Sequence, residues 1–388
     1  MDKSVVVVSA VRTTVGRRNG AWSAVHPARL LGAAQRAVLD RAGDGLDPAR
    51  VGQVIGGTVT EVGEQSFNVT RTAWLAEGLP QEVPATTVDA QCGSSQQAFT
   101  LAAALVGAGL TDIAVACGVE SMTRIPIGAN YGKQLGVGRP VPKAYRQHYE
   151  FGNQFQAAER IAQAYGIGRD RADEFGYQSQ QRAAAAWAQG RFDGQVISGP
   201  VETEDGGPVS LARDEGLRET SPDKLAELKP VLPDGIHTAG TSSQISDGAS
   251  AVLLMTEDRA ARLGLTPLAR VVDSLLVGVD PVMMLLGPHA AVPALLERNG
   301  RALDDIGVIE INEAFASVVL SFADELKADP DTINPNGGAI ALGHPLGATG
   351  CVLITKAVHE LIRAEARYGL VTMCCGGGLG TATLLERL

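Results

Sequence analysis

Aromatic residues are scarce, at 4% of the 388-residue chain. No apolar run approaches the roughly 20 residues needed to cross a bilayer. The opening MDKSVVVVSAVR has one short valine run between charges, too short for a signal-peptide core, so a cytoplasmic protein without a membrane role is expected. Basic residues are in the minority, 33 against 43 acidic, for a net charge of −10. That balance excludes a general nucleic-acid or membrane-surface binder, which needs a basic stripe, and leaves open a local patch for a small polyanion. Cysteines number only five and form no CxxC pairs. In a reducing compartment they are thiols, each either buried filler or reactive. A Walker A pattern is missing, and the late GGGLG run lacks the GxGxxG spacing of a dinucleotide site.

Glycine is abundant instead: 46 residues, roughly 12% of the chain against a usual value of about 7%. With 45% apolar residues, the length suits two or three folded units. Strand-like runs at Ser4–Ser9, Val51–Val59 and Ile113–Ala116 alternate with helical stretches at Pro27–Ala42 and Ala98–Gly109. A second α/β region starts near Ala269, with strands Val308–Ile311 and Gly369–Met373 and helices Ala314–Leu326 and Gly350–Ala364. In each region a loop (DAQCGSSQQA, then GGAIALGHPLGATG) leads into a helix and then a strand. These strands are expected to end at Cys117-Gly118 and Cys375-Gly376. Two such halves would bring both loops and both strand ends to one face, where ligands of parallel α/β sheets gather. Between them, Ser121 to Asp247 carries helices Gln156–Tyr165 and Arg169–Gln189 in long loops, either an inserted lid or substrate-facing domain, or else a surface elaboration or oligomer contact.

Cys92 precedes Gly93-Ser94-Ser95 and a helix, a setting that favours a thiolate through the helix N-terminus, although a buried structural cysteine is the alternative. His344 is held between Gly343 and Pro345, a context for a fixed acid/base group. Cys374 and Cys375 precede a glycine run whose N–H groups could face an oxyanion. Asn312, after strand VIEI, reads as a helix cap or as a holder of a water against an oxyanion. Cys92, His344 and Cys374 lack zinc-ligand spacing, so no metal is expected.

Together these segments resemble the thiolase family. The resemblance runs from SAVRTTVGRRNG through DAQCGSSQQA, GTSSQISDGAS, INEAFAS and GGAIALGHPLGATG to MCCGGGLG. It implies an α/β, five-layered αβαβα thiolase fold: an N-terminal half (residues 1–120 plus 248–268), an inserted loop domain (121–247) and a C-terminal half (269–388). By the same resemblance Cys92 is the acylated nucleophile, His344 its activator, and Cys374 the acid/base cysteine. Asn312 positions an oxyanion-hole water and Gly376 supplies a hole N–H. Ser243 and Arg218 contact coenzyme A. Coenzyme A and acyl-CoA enter as substrates, no cofactor is tightly bound, and a homodimer or homotetramer is implied.

The expected reaction is thiolysis of 3-ketoacyl-CoA to acetyl-CoA and a shortened acyl-CoA, in fatty-acid or steroid side-chain breakdown. Acetyl-CoA acetyltransfer on acetoacetyl-CoA and a non-catalytic lipid carrier are the alternatives. A decarboxylative condensing enzyme is disfavoured by Cys374. Two departures stand out. Val15 follows Thr14 where many members have proline. Asn153 occupies a place where acetoacetyl-CoA enzymes commonly have histidine, which, with GNQFQAAERIA and IHTAGTSSQISDGAS, tilts the reading towards bulky acyl chains.

Overall fold

The opening valines form strand β1 (Val5–Arg12), buried along its whole length. Val6, Val8 and Val11 enter one apolar core and Val5, Val7 and Ala10 another, which is why the run does not alternate with polar residues. The coordinates are a computed structural model that describes residues 3–388 apart from 44, 133–135 and 198.

Eight further strands join β1: β2 (Gln53–Gly57), β3 (Ala85–Val88), β4 (Ile113–Ser121), β5 (Ser246–Thr256), β6 (Ala269–Gly278), β7 (Ile306–Ile311), β8 (Tyr368–Cys375) and β9 (Leu379–Arg387). Their order is β7-β8-β9-β6-β1-β5-β4-β2-β3, with the two-residue strand Gly16–Arg17 against β5. The halves join at β1 and β6 through two residue pairs, Val6 with Arg270 and Val7 with Ala269. The sheet is mixed. β2 runs parallel to β3 and β4, and β7 to β8, whereas β5, β6 and β9 pair antiparallel. β4 also outruns its expected end at Gly118, continuing to Ser121. A side chain at Gly118 would collide with the carbonyl of Gly347.

Helices α1 (Pro27–Asp40) and α2 (Val69–Ala76) cover the first half on the outside. In α1 the His26 side chain accepts from the Ala28 N–H, Pro27 opens the helix, and Leu30, Leu31, Ala34 and Val38 turn one stripe inward. Helices α3 (Ser94–Gly107) and α8 (Thr349–Arg363) share one core with residues from both sheet halves, including Val252, Leu254, Val308 and Val371. On the far side α6 (Gly287–Arg298) and α7 (Ala316–Leu326) cover Ile309, Ile311 and Leu370. The layers run helix, sheet, helix, sheet, helix, as the thiolase resemblance implied. No helix among the described residues is long and apolar enough to cross a membrane.

The stretch between the halves leaves β4 at Ser121 and re-enters β5 at Asp247, residues paired with each other. It carries α4 (Gln154–Ala164) and α5 (Arg169–Ala188). Its return path is tied to the end of β1 by a buried pair: the Arg12 guanidinium donates to both oxygens of Asp214 at 2.8 and 3.1 Å. Asp214 also accepts from the Val15 N–H and the Trp187 indole.

Candidate active site

Each half delivers one reactive loop just ahead of a central helix, Cys92 before α3 and His344 before α8. Gln91, immediately before Cys92, sits at φ +54°, a left-handed conformation that is uncommon outside glycine. Asp89 holds that turn by accepting the Gln91 N–H at 2.6 Å. The Cys92 sulfur then faces the peptide N–H groups of Gly376 and of Cys92 itself. Burial outweighs those donors and pushes the thiol up to about 11, with Glu120 and Asp89 adding to the rise. The thiolate-favouring effect expected of the α3 N-terminus is therefore not the dominant one, because desolvation of the sulfur is larger. Cys92 rests as a thiol. Alkylation by iodoacetamide should accordingly rise about tenfold per pH unit from pH 7 to 9 without levelling. A plateau near pH 8 would contradict this.

His344 is buried, and its protonation is driven down to about 4 by loss of solvation. The Thr349 hydroxyl donates its hydrogen to the Pro345 carbonyl at 2.8 Å and lies 2.7 Å from Nδ1 of His344. Nδ1 therefore carries the proton and Nε2 keeps its lone pair. Nε2 lies 3.3 Å from the Asn312 amide nitrogen. The His344 N–H donates to Ser246 Oγ at 3.0 Å. A neutral imidazole with an unprotonated Nε2 is a base towards a thiol.

Asn312 caps no helix: α7 starts at Ala316 with Phe315 at its cap. Its N–H instead extends the sheet by donating to the Thr372 carbonyl. Its Oδ1 is buried and has no partner among the described residues. Strand alternation separates the adjacent cysteines: Val371, Met373 and Cys375 face the central helices, while Cys374 turns to Leu285, Phe315 and α4. Burial and the neighbouring Cys92 sulfur push the Cys374 thiol well up.

Cys92, His344, Cys374, Gly376 and Ser243 line one cavity of about 160 Å³. Ser243 is fixed by its N–H to the Ala314 carbonyl at 2.9 Å. Most of the remaining wall is apolar, including Met122, Ile127, Phe155 and Leu346. Asn312 stands behind His344 rather than on the wall. Arg218 lies outside it, its guanidinium donating to the Ala239 carbonyl. Asn153 is engaged as the cap of α4 in a reciprocal pair with Gln156, and its neighbour Gln154 reaches the cavity. Among the described residues no cluster of three His, Cys, Asp or Glu is placed to hold a metal ion.

Sequence reasoning overlooked Thr349, which sets the His344 tautomer, and Glu120, whose only signal is a carboxylate inside the apolar run ACGVESM.

The family models for the thiolase N-terminal domain and the thiolase C-terminal domain match residues 5–258 and 265–387. The chain belongs to the thiolase family. Similar thiolases include a steroid 3-ketoacyl-CoA thiolase, FadA6, of Mycobacterium tuberculosis, 46% identical over 98% of this chain and 94% of that protein. A 3-ketoacyl-CoA thiolase of Bacillus subtilis is 39% identical over 99% of both chains. An acetyl-CoA acetyltransferase of Chromobacterium violaceum is 41% identical over 99% of both. By these names the relatives are acyltransferases.

Proposed function

We propose that this thiolase cleaves 3-ketoacyl-CoA with coenzyme A, releasing acetyl-CoA and an acyl-CoA shortened by two carbons. The observation that carries the reading is the convergence of Cys92, His344, Cys374 and the Gly376 N–H on one cavity. His344 Nε2 takes the Cys92 proton as the sulfur attacks the 3-keto carbon. The N–H groups of Cys92 and Gly376 stabilise the resulting oxyanion. The bond between C2 and C3 breaks, the acyl group stays on Cys92, and the Cys374 thiol protonates C2 of the departing acetyl-CoA enolate. His344, now protonated at Nε2, faces the enolate oxygen, and Asn312 behind it acts through a water held on its unpartnered Oδ1. Cys374, now a thiolate, takes the proton of incoming coenzyme A. The coenzyme A sulfur attacks the acyl-Cys92 carbonyl, and Cys92 leaves and recovers its proton from His344.

Residues 121–247 act in this reading as the inserted domain over the cavity. Ser243 contacts the pantetheine arm and Arg218 the nucleotide end of coenzyme A. The position of β3 at the edge of the sheet and the 93% exposed Phe67 nearby support a homodimer or homotetramer.

The substrate class is a bulky acyl chain, steroidal side chains included. The FadA6 relative and the use of Asn153 as a helix cap support this. Incubation with acetyl-CoA should add one acetyl group to Cys92 by intact mass, and none to Cys92→Ala. Thiolysis of steroidal or long-chain 3-ketoacyl-CoA should exceed that of acetoacetyl-CoA in kcat/KM. Absence of the adduct overturns the catalytic reading, and a strong preference for acetoacetyl-CoA overturns the bulky-chain reading alone.

A further inference from the structure

Glu120 is fully buried at the end of β4 and has no basic partner within ion-pair distance among the described residues. Its oxygens instead accept four hydrogen bonds. Oε1 takes the Thr60 N–H at 3.1 Å and the Gln65 amide at 2.8 Å, and Oε2 takes the Val59 and Gly347 N–H groups, each at 2.9 Å. All four partners are donors. A protonated carboxyl would need an acceptor for its own hydrogen, so only the carboxylate satisfies the set. Burial opposes ionisation and pushes this carboxyl up, and the four donors work against that rise.

Three of the donors belong to the half that carries Cys92. The fourth, Gly347, lies in the loop of the other half, three residues after His344. That loop is seated closely: a Cβ on Gly347 would come within 2.7 Å of Thr58 Cα and of the Val119 carbonyl, and within 2.8 Å of Glu120 Oε2. Val59, Met122 and Leu346 pack beside this joint and against Cys92. The sheet register adds a second observation. The parallel ladders end at Gly57 with Gly118 in one half and Ile311 with Thr372 in the other. Two residues further on stand Glu120 and Cys374. The place that holds the acid/base thiol in one half holds this carboxylate in the other.

We propose that Glu120 is a positioning residue for acyl transfer to Cys92: its carboxylate clamps the His344 loop of one half onto the Cys92 wall of the other. The proposal rests on the assignment of Cys92 and His344 above. In the step concerned the Cys92 sulfur bonds to the thioester carbonyl as its proton passes to His344 Nε2, the bond from carbonyl carbon to coenzyme A sulfur breaks, and the departing thiolate takes a proton from Cys374, the reverse of the coenzyme A step above.

Glu120→Gln places an NH₂ donor against N–H donors and releases one side of the clamp. A displacement of about 1 Å at a reacting group costs on the order of 10²-fold. Acetylation of Cys92 by acetyl-CoA, followed by rapid-quench mass spectrometry, should therefore slow by about 10- to 100-fold. The decisive readout is a cycle with His344→Ala: if Glu120 acts through His344, Glu120→Gln adds less than threefold on the His344→Ala background. Glu120→Asp, which keeps the charge, should recover part of the rate and serves as the second variant should the glutamine form fail to fold. Independent, multiplicative losses, or wild-type acetylation in Glu120→Gln, overturn the proposal. Retained acetylation in both Cys92→Ala and His344→Ala would instead overturn the catalytic reading beneath it.

Discussion

Cys374→Ala should lower thiolysis of 3-ketoacyl-CoA by about 10²- to 10⁴-fold, the usual worth of a positioned acid/base group, while Cys92 still accepts an acetyl group from acetyl-CoA. The split follows from the atoms involved. Transfer of an acetyl group from a thioester to Cys92 needs a nucleophile, a base and an oxyanion site, the roles proposed above for Cys92, His344 and the N–H groups of Cys92 and Gly376. Cleavage of the bond between C2 and C3 additionally needs a proton delivered to C2. The Cys374 thiol beside Cys92 is placed for that, and burial keeps it protonated. Its neighbour offers the control. Cys375 faces the central helix layer, its sulfur 3.9 Å from the Met373 carbonyl, so Cys375→Ala should stay within a few-fold of wild type. Steady-state thiolysis and intact-mass acetylation on both variants test the pair. Equal losses in the two assays for Cys374→Ala would place it in acylation rather than in carbon–carbon chemistry.

Lys356→Met should be strongly destabilising, and the effect should grow with pH. Lys356, 1% exposed on α8, donates to Glu310 Oε2 and to the Gly337 carbonyl, each at 2.6 Å. Burial pushes the Glu310 carboxyl up to about 7 even though Lys356 pulls it down. In the wild type, folded Glu310 therefore holds a proton that the unfolded chain has lost between about pH 4.5 and 7, so its contribution to stability falls across that window and is constant above it. Without Lys356 the folded value rises further and the fall continues to higher pH. At pH 8 the variant must either bury that carboxylate unpaired or hold a proton that the unfolded chain has lost, and breaking a buried pair in this way costs about 3 to 5 kcal/mol. At pH 5.5 Glu310 is neutral and the loss is smaller. Urea denaturation at both pH values measures the difference. The double variant Lys356→Met with Glu310→Leu should recover most of the loss, because an apolar pair of similar volume removes the charge as well as its partner. A pH-independent loss would show that packing, rather than charge, dominates.

Much of the site was legible because its residues lie in short, glycine-flanked segments. Cys92, His344 and Cys374 could be picked out one by one, and the loop-helix-strand repeat foretold that they would meet. What stayed hidden depends on contacts far apart in the chain. Strand direction is not written in a run such as Ala249–Met255, so the antiparallel placement of β5 emerges only from its pairing with β1 and β4. Asn312 looked like a cap because a helix follows, but the helix starts four residues later and its amide turns to His344. The helix N-terminus after Cys92 was readable, whereas the loss of solvation around its half-buried sulfur, which overrides it, was not. Glu120 and Gly347, 227 residues apart, share no local pattern at all.

The central layer of α3 and α8 bears on how the chain reaches this state. Each half has an outer core of its own, but the core around α3 and α8 mixes residues of both, so it is finished only when both halves are present. Residues 5–258 released alone from a ribosome expose the inward apolar faces of α3 and of β1, β4 and β5 until residues 259–388 arrive. Productive collapse thus waits on contacts of very high sequence separation, such as Ser95 with Cys351. That places the chain among slow folders and makes the interval before completion the period of greatest aggregation risk.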